Sequence, residues 1–268
     1  MRFFFHIGFN GASYRGWQKF QGVQTVQETI ERSLGQILKI SPRTVCCGRT
    51  DAQVHASQFF FHIDIDVPWD FDLVFRLNKN LPPDIAVFDI MGMTGEPHAR
   101  FDARERTYDY FIHTYKDPFL NTTSAFYALK NIDIEKMKRA TALLVKYNDY
   151  RGFCKAPLRY RTTLCEVRNA EWFSDKSGSK FRFSITADRF LGNMIRIITG
   201  KLLLIGEGRM SIDEFENHLI TKETPATLDL AYPQGLYLSR VTYPYLDLPR
   251  RTEFSPMAEN GFYEWENV

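Results

Sequence analysis

The chain has 268 residues, with 34 Lys and Arg against 32 Asp and Glu and a net charge of +2. That balance excludes a protein basic throughout, so any RNA or DNA surface must be a local patch, and no apolar run approaches membrane-spanning length. Four cysteines (Cys46, Cys47, Cys154 and Cys165) lack CxxC spacing, which argues against a zinc site or disulfide framework and fits reduced cytoplasmic thiols.

The start, Met1 to His6, turns polar too soon for a signal peptide. A hydrophobic content of 44% can furnish the core of one large domain or two ordinary ones. Residues 2–9 read as a first strand. Asn10-Gly11-Ala12-Ser13-Tyr14-Arg15-Gly16-Trp17-Gln18 follows as a glycine-punctuated loop, either packed or ligand-facing, with Trp17 better suited to core. Thr25 and Glu28 are spaced as a capping box, and Val26, Ile30, Leu34, Ile37 and Leu38 recur at helical spacing over 26–39.

Strands are expected at 43–47 and 57–65. In the second, Phe59, Phe61, Ile63 and Ile65 alternate with Phe60, His62, Asp64 and Asp66, which predicts a half-buried antiparallel strand. The loop between them carries Arg49, Asp51 and His55, charge that a plain turn does not need. A capped turn, with Asp51 accepting backbone N–H bonds, is the alternative. A helix over 70–79 stops at Leu81-Pro82-Pro83, and a strand runs from Asp84 to Met93.

The remainder repeats this order without repeating the sequence. A strand at 107–113 places Tyr108 and Tyr110 on one face and Asp109 on the other. A helix over 134–146 follows Asp133. Residues 148–161 are irregular, with Arg151, Lys155, Arg159 and Arg161 among Tyr150, Phe153 and Tyr160, either a nucleic-acid patch or a solvated loop. Strands at 162–173 and 180–187, a helix from Phe190 to Ile205 with Arg196 in its apolar run, a second capping box at Ser211–Glu214 and a strand from Leu236 to Tyr243 complete it.

The expected fold is α+β. Two ferredoxin-like β-α-β-β-α-β halves, 1–105 and 106–245, stand side by side in one extended, mainly antiparallel sheet with a cleft between them. Residues 246–268 form an appended tail.

At this point the residues resemble a family. Gly48-Arg49-Thr50-Asp51-Ala52-Gln53-Val54-His55-Ala56 resembles the GRTDAGVHA box of TruA-type pseudouridine synthases. Tyr14–Gln18 with Thr25-Val26-Gln27, Leu77–Ile85, His98-Ala99-Arg100-Phe101 with Arg106–Tyr110, Phe190–Arg196 and Gly235–Leu238 resemble further boxes, in the family's order, over residues 3–243.

The resemblance implies isomerisation of uridine to pseudouridine in tRNA, on the 3′ side of the anticodon stem-loop. It also implies a basic cleft, a homodimer, and neither cofactor nor metal; neither membrane nor DNA is an expected partner. Asp51 would be the catalytic carboxylate, attacking the ribose C1′ or removing a ribose proton. Arg49 would fill the space left by the flipped base, Tyr108 would stack on the uracil, and Arg196 would pair with Asp51. Arg15, Arg100, Arg151 and Lys155 are the expected RNA-binding cations.

A non-catalytic RNA-binding module would need the cations but not Asp51. A glycosidic hydrolase would need a second carboxylate that no motif spacing supplies. Within the central box Gln53 replaces the family's Gly. A positive φ there would store about 1–2 kcal/mol. Because the residues around it all match, the favoured expectation is a negative φ, with the amide reaching a ribose or phosphate.

Overall fold

A computed structural model describes residues 1–129, 131–223 and 228–251, together with the backbone of 265–267. In chain order the elements are β1 (Arg2–Phe9), α1 (Val26–Leu38), β2 (Val45–Cys46), β3 (His55–Asp64), α2 (Leu73–Asn80), β4 (Ile85–Met93), β5 (Glu105–His113), β6 (Ala125–Phe126), α3 (Ile134–Thr141), β7 (Val167–Asp175), β8 (Lys180–Ala187), α4 (Met194–Gly206), α5 (Ile212–Thr221), β9 (Leu236–Thr242) and β10 (Trp265–Asn267). The contacts group the chain into two α+β units. The first is Met1–Arg104 with Tyr237–Arg251, and the second is Glu105–Leu236 with Thr252–Val268. None of the described helices is long and apolar enough to cross a membrane.

In the first unit β1 pairs antiparallel with both β3 and β4, β2 pairs antiparallel with β3, and His55 and Ala56 of β3 pair in parallel with Tyr237 and Leu238. Thr25 caps α1, its hydroxyl accepting from Glu28 N at 3.4 Å. Val26, Ile30, Leu34 and Leu38 are buried, as helical spacing requires, together with Leu73 and Leu77 of α2. Phe5 stacks on Phe61 at 4.7 Å, and Trp17 lies 4.3 Å from Phe59, so this tryptophan belongs to the core.

The expected half-buried β3 is not what forms. Phe60 and His62, on its other face, are as buried as Phe59 and Phe61. The cover comes from distant sequence. Tyr243 meets Phe60 and Phe4 edge-on, His98 meets His62, Arg251 lies 3.8 Å over the ring of Phe88, and Gln58 Nε2 donates to Pro249 O. Residues 246–251 of the expected tail are thus packed on this unit. Residues 252–264 and 268 lie outside the described residues.

In the second unit the strands stand in the order β10-β7-β8-β5, antiparallel throughout, with β6 parallel to β5 at its edge. Trp172 stacks on Phe183 at 5.0 Å and donates its indole N–H to Thr141 Oγ1. The helix expected over 134–146 ends at Thr141 and gives way to a tight turn at Leu144–Lys146. The helix expected from Phe190 begins only at Met194, because Asn193 is left-handed at φ +61° and cannot lie within a right-handed helix. At α5 both halves of the Ser211–Glu214 capping box form.

Candidate active site

Asp51 sits in the loop that joins β2 to β3. Two apolar strands fix its ends, and Cys47 is buried, its N–H donating to Phe60 O at 2.8 Å. Between them the loop is held by the backbone of residues 10–18. Trp17 N donates to Thr50 O at 3.3 Å, Gln53 N donates to Tyr14 O at 3.1 Å, and Gly11 N donates to His55 Nδ1 at 3.0 Å. Val54 N closes the turn onto Asp51 O.

Two glycines make that approach possible. A Cβ on Gly11 would stand 2.0 Å from Val54 O, and one on Gly16, at φ +88°, would stand 2.4 Å from Thr50 O. The loop of residues 10–18 is therefore a packed support, with Ser13, Arg15 and Gln18 exposed along it. Asp51 itself is half-buried.

His55 is not a free base. It is fully buried, lies face to face with Tyr237 at 4.5 Å, and as an acceptor at Nδ1 carries its proton on Nε2. Thr50 is buried as well. Arg49 is exposed and forms no ion pair among the described residues. Beside it burial pushes the Cys46 thiol up, against the pull of the Arg100 and Arg49 charges.

Gln53 has φ +65°. The expected negative φ is overturned. The residue occupies the left-handed region where the family pattern has glycine, and its neighbours keep their identity because strain at a single residue leaves their backbone bonds intact.

In the second unit Tyr108 lies on β5 opposite Ile185, 8% exposed, with its ring edge-on to Phe190 at 5.2 Å. Tyr110 and Asp109 are buried too, on opposite faces of the strand. Arg196 is half-buried on α4. Its Nε donates to Ala231 O at 2.8 Å and its Nη1 to Asn193 Oδ1 at 3.3 Å. Asn193 thereby both stops the helix and orients the guanidinium. The sequence reading named Arg196 but missed Asn193; the only signal would have been an Asn three residues before it, at a helix start.

Arg15 and Arg100 are exposed in the first unit, Arg151 and Lys155 in the second. The irregular stretch 148–161 is ordered by short turns at Arg151–Phe153 and Pro157–Arg159. Tyr160 anchors it, accepting from Gly192 N through its hydroxyl at 2.7 Å. Among the described residues no group of three or more His, Cys, Asp and Glu is placed to hold a metal ion.

A half-buried carboxylate thus sits on a clamped loop, with exposed guanidinium groups in the same unit. Comparison with known proteins defines the class. A family model described as tRNA pseudouridine synthase matches residues 140–244. The chain is 38% identical over 246 residues to tRNA pseudouridine synthase A of Porphyromonas gingivalis, covering 91% of this chain and 97% of that protein. It is 40% identical to the protein of that name from Parabacteroides distasonis, covering 91% and 96%, and 36% identical to that from Bacteroides fragilis, again covering 91% and 96%. The chain belongs to the tRNA pseudouridine synthase family. It is a pseudouridine synthase, an isomerase.

Proposed function

We propose that Asp51 is the catalytic carboxylate and that the substrate is a uridine on the 3′ side of a tRNA anticodon stem-loop. The reaction breaks the N1–C1′ bond, turns the uracil, and forms a C5–C1′ bond; the C5 proton is lost and N1 regains one, so atoms balance without a co-substrate. The uridine must leave its stack first. In this reading Arg49 fills the vacated space, Tyr108 stacks on the extruded uracil, and Arg196 pairs with Asp51, keeping it ionised.

Arg15, Arg49, Arg100, Arg151 and Lys155 supply the basic cleft between two ferredoxin-like halves, 1–105 and 106–245. Within the first unit the four strands before residue 105 stand in the order β4-β1-β3-β2, each antiparallel to its neighbour, which supports the first of these. The enzyme acts as a homodimer in the cytoplasm.

The observation that carries the reading is the loop itself. Of the charged residues in the central box, Asp51 is the carboxylate, and the loop around it is held by three hydrogen bonds exchanged with the backbone of residues 11–17. A site that is fixed before substrate arrives costs little reorganisation during reaction. The test is pseudouridine formation on transcribed tRNA by the Asp51→Ala and Asp51→Asn variants. Both should bind tRNA normally and lose turnover, and substantial product from either rejects the assignment.

A further inference from the structure

We propose that Phe101 is a stacking platform for an unpaired base of the RNA substrate, distinct from the reacting uridine. The proposal rests on the tRNA reading above, but its readout is binding rather than turnover.

Phe101 is 77% exposed. Exposed phenyl rings are common on mobile loops, but this loop is locked. His98 Nδ1 accepts from both Arg100 N and Phe101 N, at 3.1 and 3.2 Å. The Asp102 carboxylate accepts from His98 N at 2.7 Å and from the Tyr245 hydroxyl at 3.0 Å, and Asp102 N returns a bond to His98 O. Beneath them the buried His62 Nδ1 accepts from Ala99 N, and the Tyr243 hydroxyl donates to Ala99 O at 2.7 Å.

The phenyl ring lies on the His98 imidazole, centroids 4.2 Å apart and 27° from parallel, and His98 in turn meets His62 edge-on at 4.8 Å. One face of Phe101 is thus supported and the ring as a whole stands in solvent. Among the described residues, Phe4, Phe60, Tyr243 and Tyr245 pack against one another on this face of the sheet without it.

A planar apolar ring, fixed in orientation before binding, is what a nucleobase needs in order to stack, and every base has a π face to offer. Its neighbours in the chain fit the same occupant. Arg100 and Arg104 flank the ring in sequence and both are exposed. Cations beside an aromatic platform neutralise the backbone while the base stacks. The target is an unpaired, unstacked nucleotide, because a base within a duplex has both faces covered by its stacked neighbours.

The experiment measures affinity of the full-length protein for an unmodified tRNA transcript and for a fully paired RNA duplex. It is done in an Asp51→Asn background, so that turnover does not intrude, with sedimentation to report oligomeric state. Phe101→Ala and Phe101→Leu should each weaken tRNA binding about 10- to 100-fold, the range of one base–aromatic stack, while leaving duplex affinity unchanged. Phe101→Trp should bind at least as tightly as the parent.

Wild-type affinity in the Leu variant would show that only apolar bulk matters and would overturn the proposal. So would equal weakening on duplex and tRNA. Loss of self-association with intact tRNA affinity would assign the ring to a second copy of the chain instead. Because the ring is exposed, all three variants should melt near the parent temperature. Retained turnover in Asp51 variants would sink the catalytic assignment without touching this one.

Discussion

Replacing Gln53 by glycine should stabilise the protein. The native φ of +65° puts a residue with a Cβ in the left-handed region, at a cost of about 1–2 kcal/mol. Glycine removes that cost but has more freedom to lose on folding, about 0.5–1 kcal/mol. Nothing else changes sign. Gln53 is exposed, so no buried contact is given up, and its N–H bond to Tyr14 O survives the substitution. The difference is a gain of about 0.5–1 kcal/mol, or roughly 1–4 °C for a chain of this size. Urea titration read by far-UV circular dichroism should show a higher midpoint at unchanged slope, and tRNA affinity should stay level. A stability that is equal or lower, with tRNA bound more weakly, would mean that the side chain reaches RNA and that the backbone carries no strain worth relieving.

Gly11→Ala should cost about 1–3 kcal/mol, because its Cβ would meet Val54 O at 2.0 Å and the backbone must move; turnover should fall more than tRNA affinity, since Val54 N closes the turn onto Asp51 O. Burial lowers the pKa of both His6 and His62 to about 4, so each stays neutral in the fold but charges in the unfolded chain near pH 6.5. Their contribution is therefore fully present above about pH 6.5 and is lost as pH falls toward 4, up to about 3 kcal/mol each; urea midpoints at pH 7 and 4.5 measure it, and His6→Leu should flatten the curve. Tyr108→Phe keeps the ring and its contact with Phe190 and should keep tRNA affinity, and a loss of turnover in single-turnover assays would report on the hydroxyl. Affinity for tRNA should fall steeply with salt if the exposed arginines act together, and a flat dependence would count against them.

What could be read from sequence was whatever depends on neighbours along the chain. Val26, Ile30, Leu34 and Leu38 bury one face of α1 as their spacing requires, and Ser211 and Glu214 form their box from residues three apart. What could not be read depends on distant partners. Alternation along β3 is compatible with a wet second face. That face is dry because Tyr243, Pro249 and Arg251, nearly two hundred residues on, fold back over it. Gln53 illustrates a different limit. The match of its neighbours to the family box argues for negative φ, but the conformation is imposed by a loop already fixed through Thr50, Tyr14 and His55.

The central box also shows why a motif is not a roster of catalytic groups. His55 looks like a base in sequence, yet it is spent on Gly11 N and on the face of Tyr237. Thr50 gives its carbonyl to Trp17 and is buried. Gly11 and Gly16 sit outside the box and hold it by the absence of a side chain. Of the ionisable side chains in the box, Arg49 is exposed and Asp51 half-buried, whereas His55 is fully buried. Most of the box therefore answers a mechanical requirement, holding one short loop still between two strands. The same division predicts where substitutions will be felt: changes at His55 or Gly11 should lower stability and activity together, whereas changes at Asp51 should separate them.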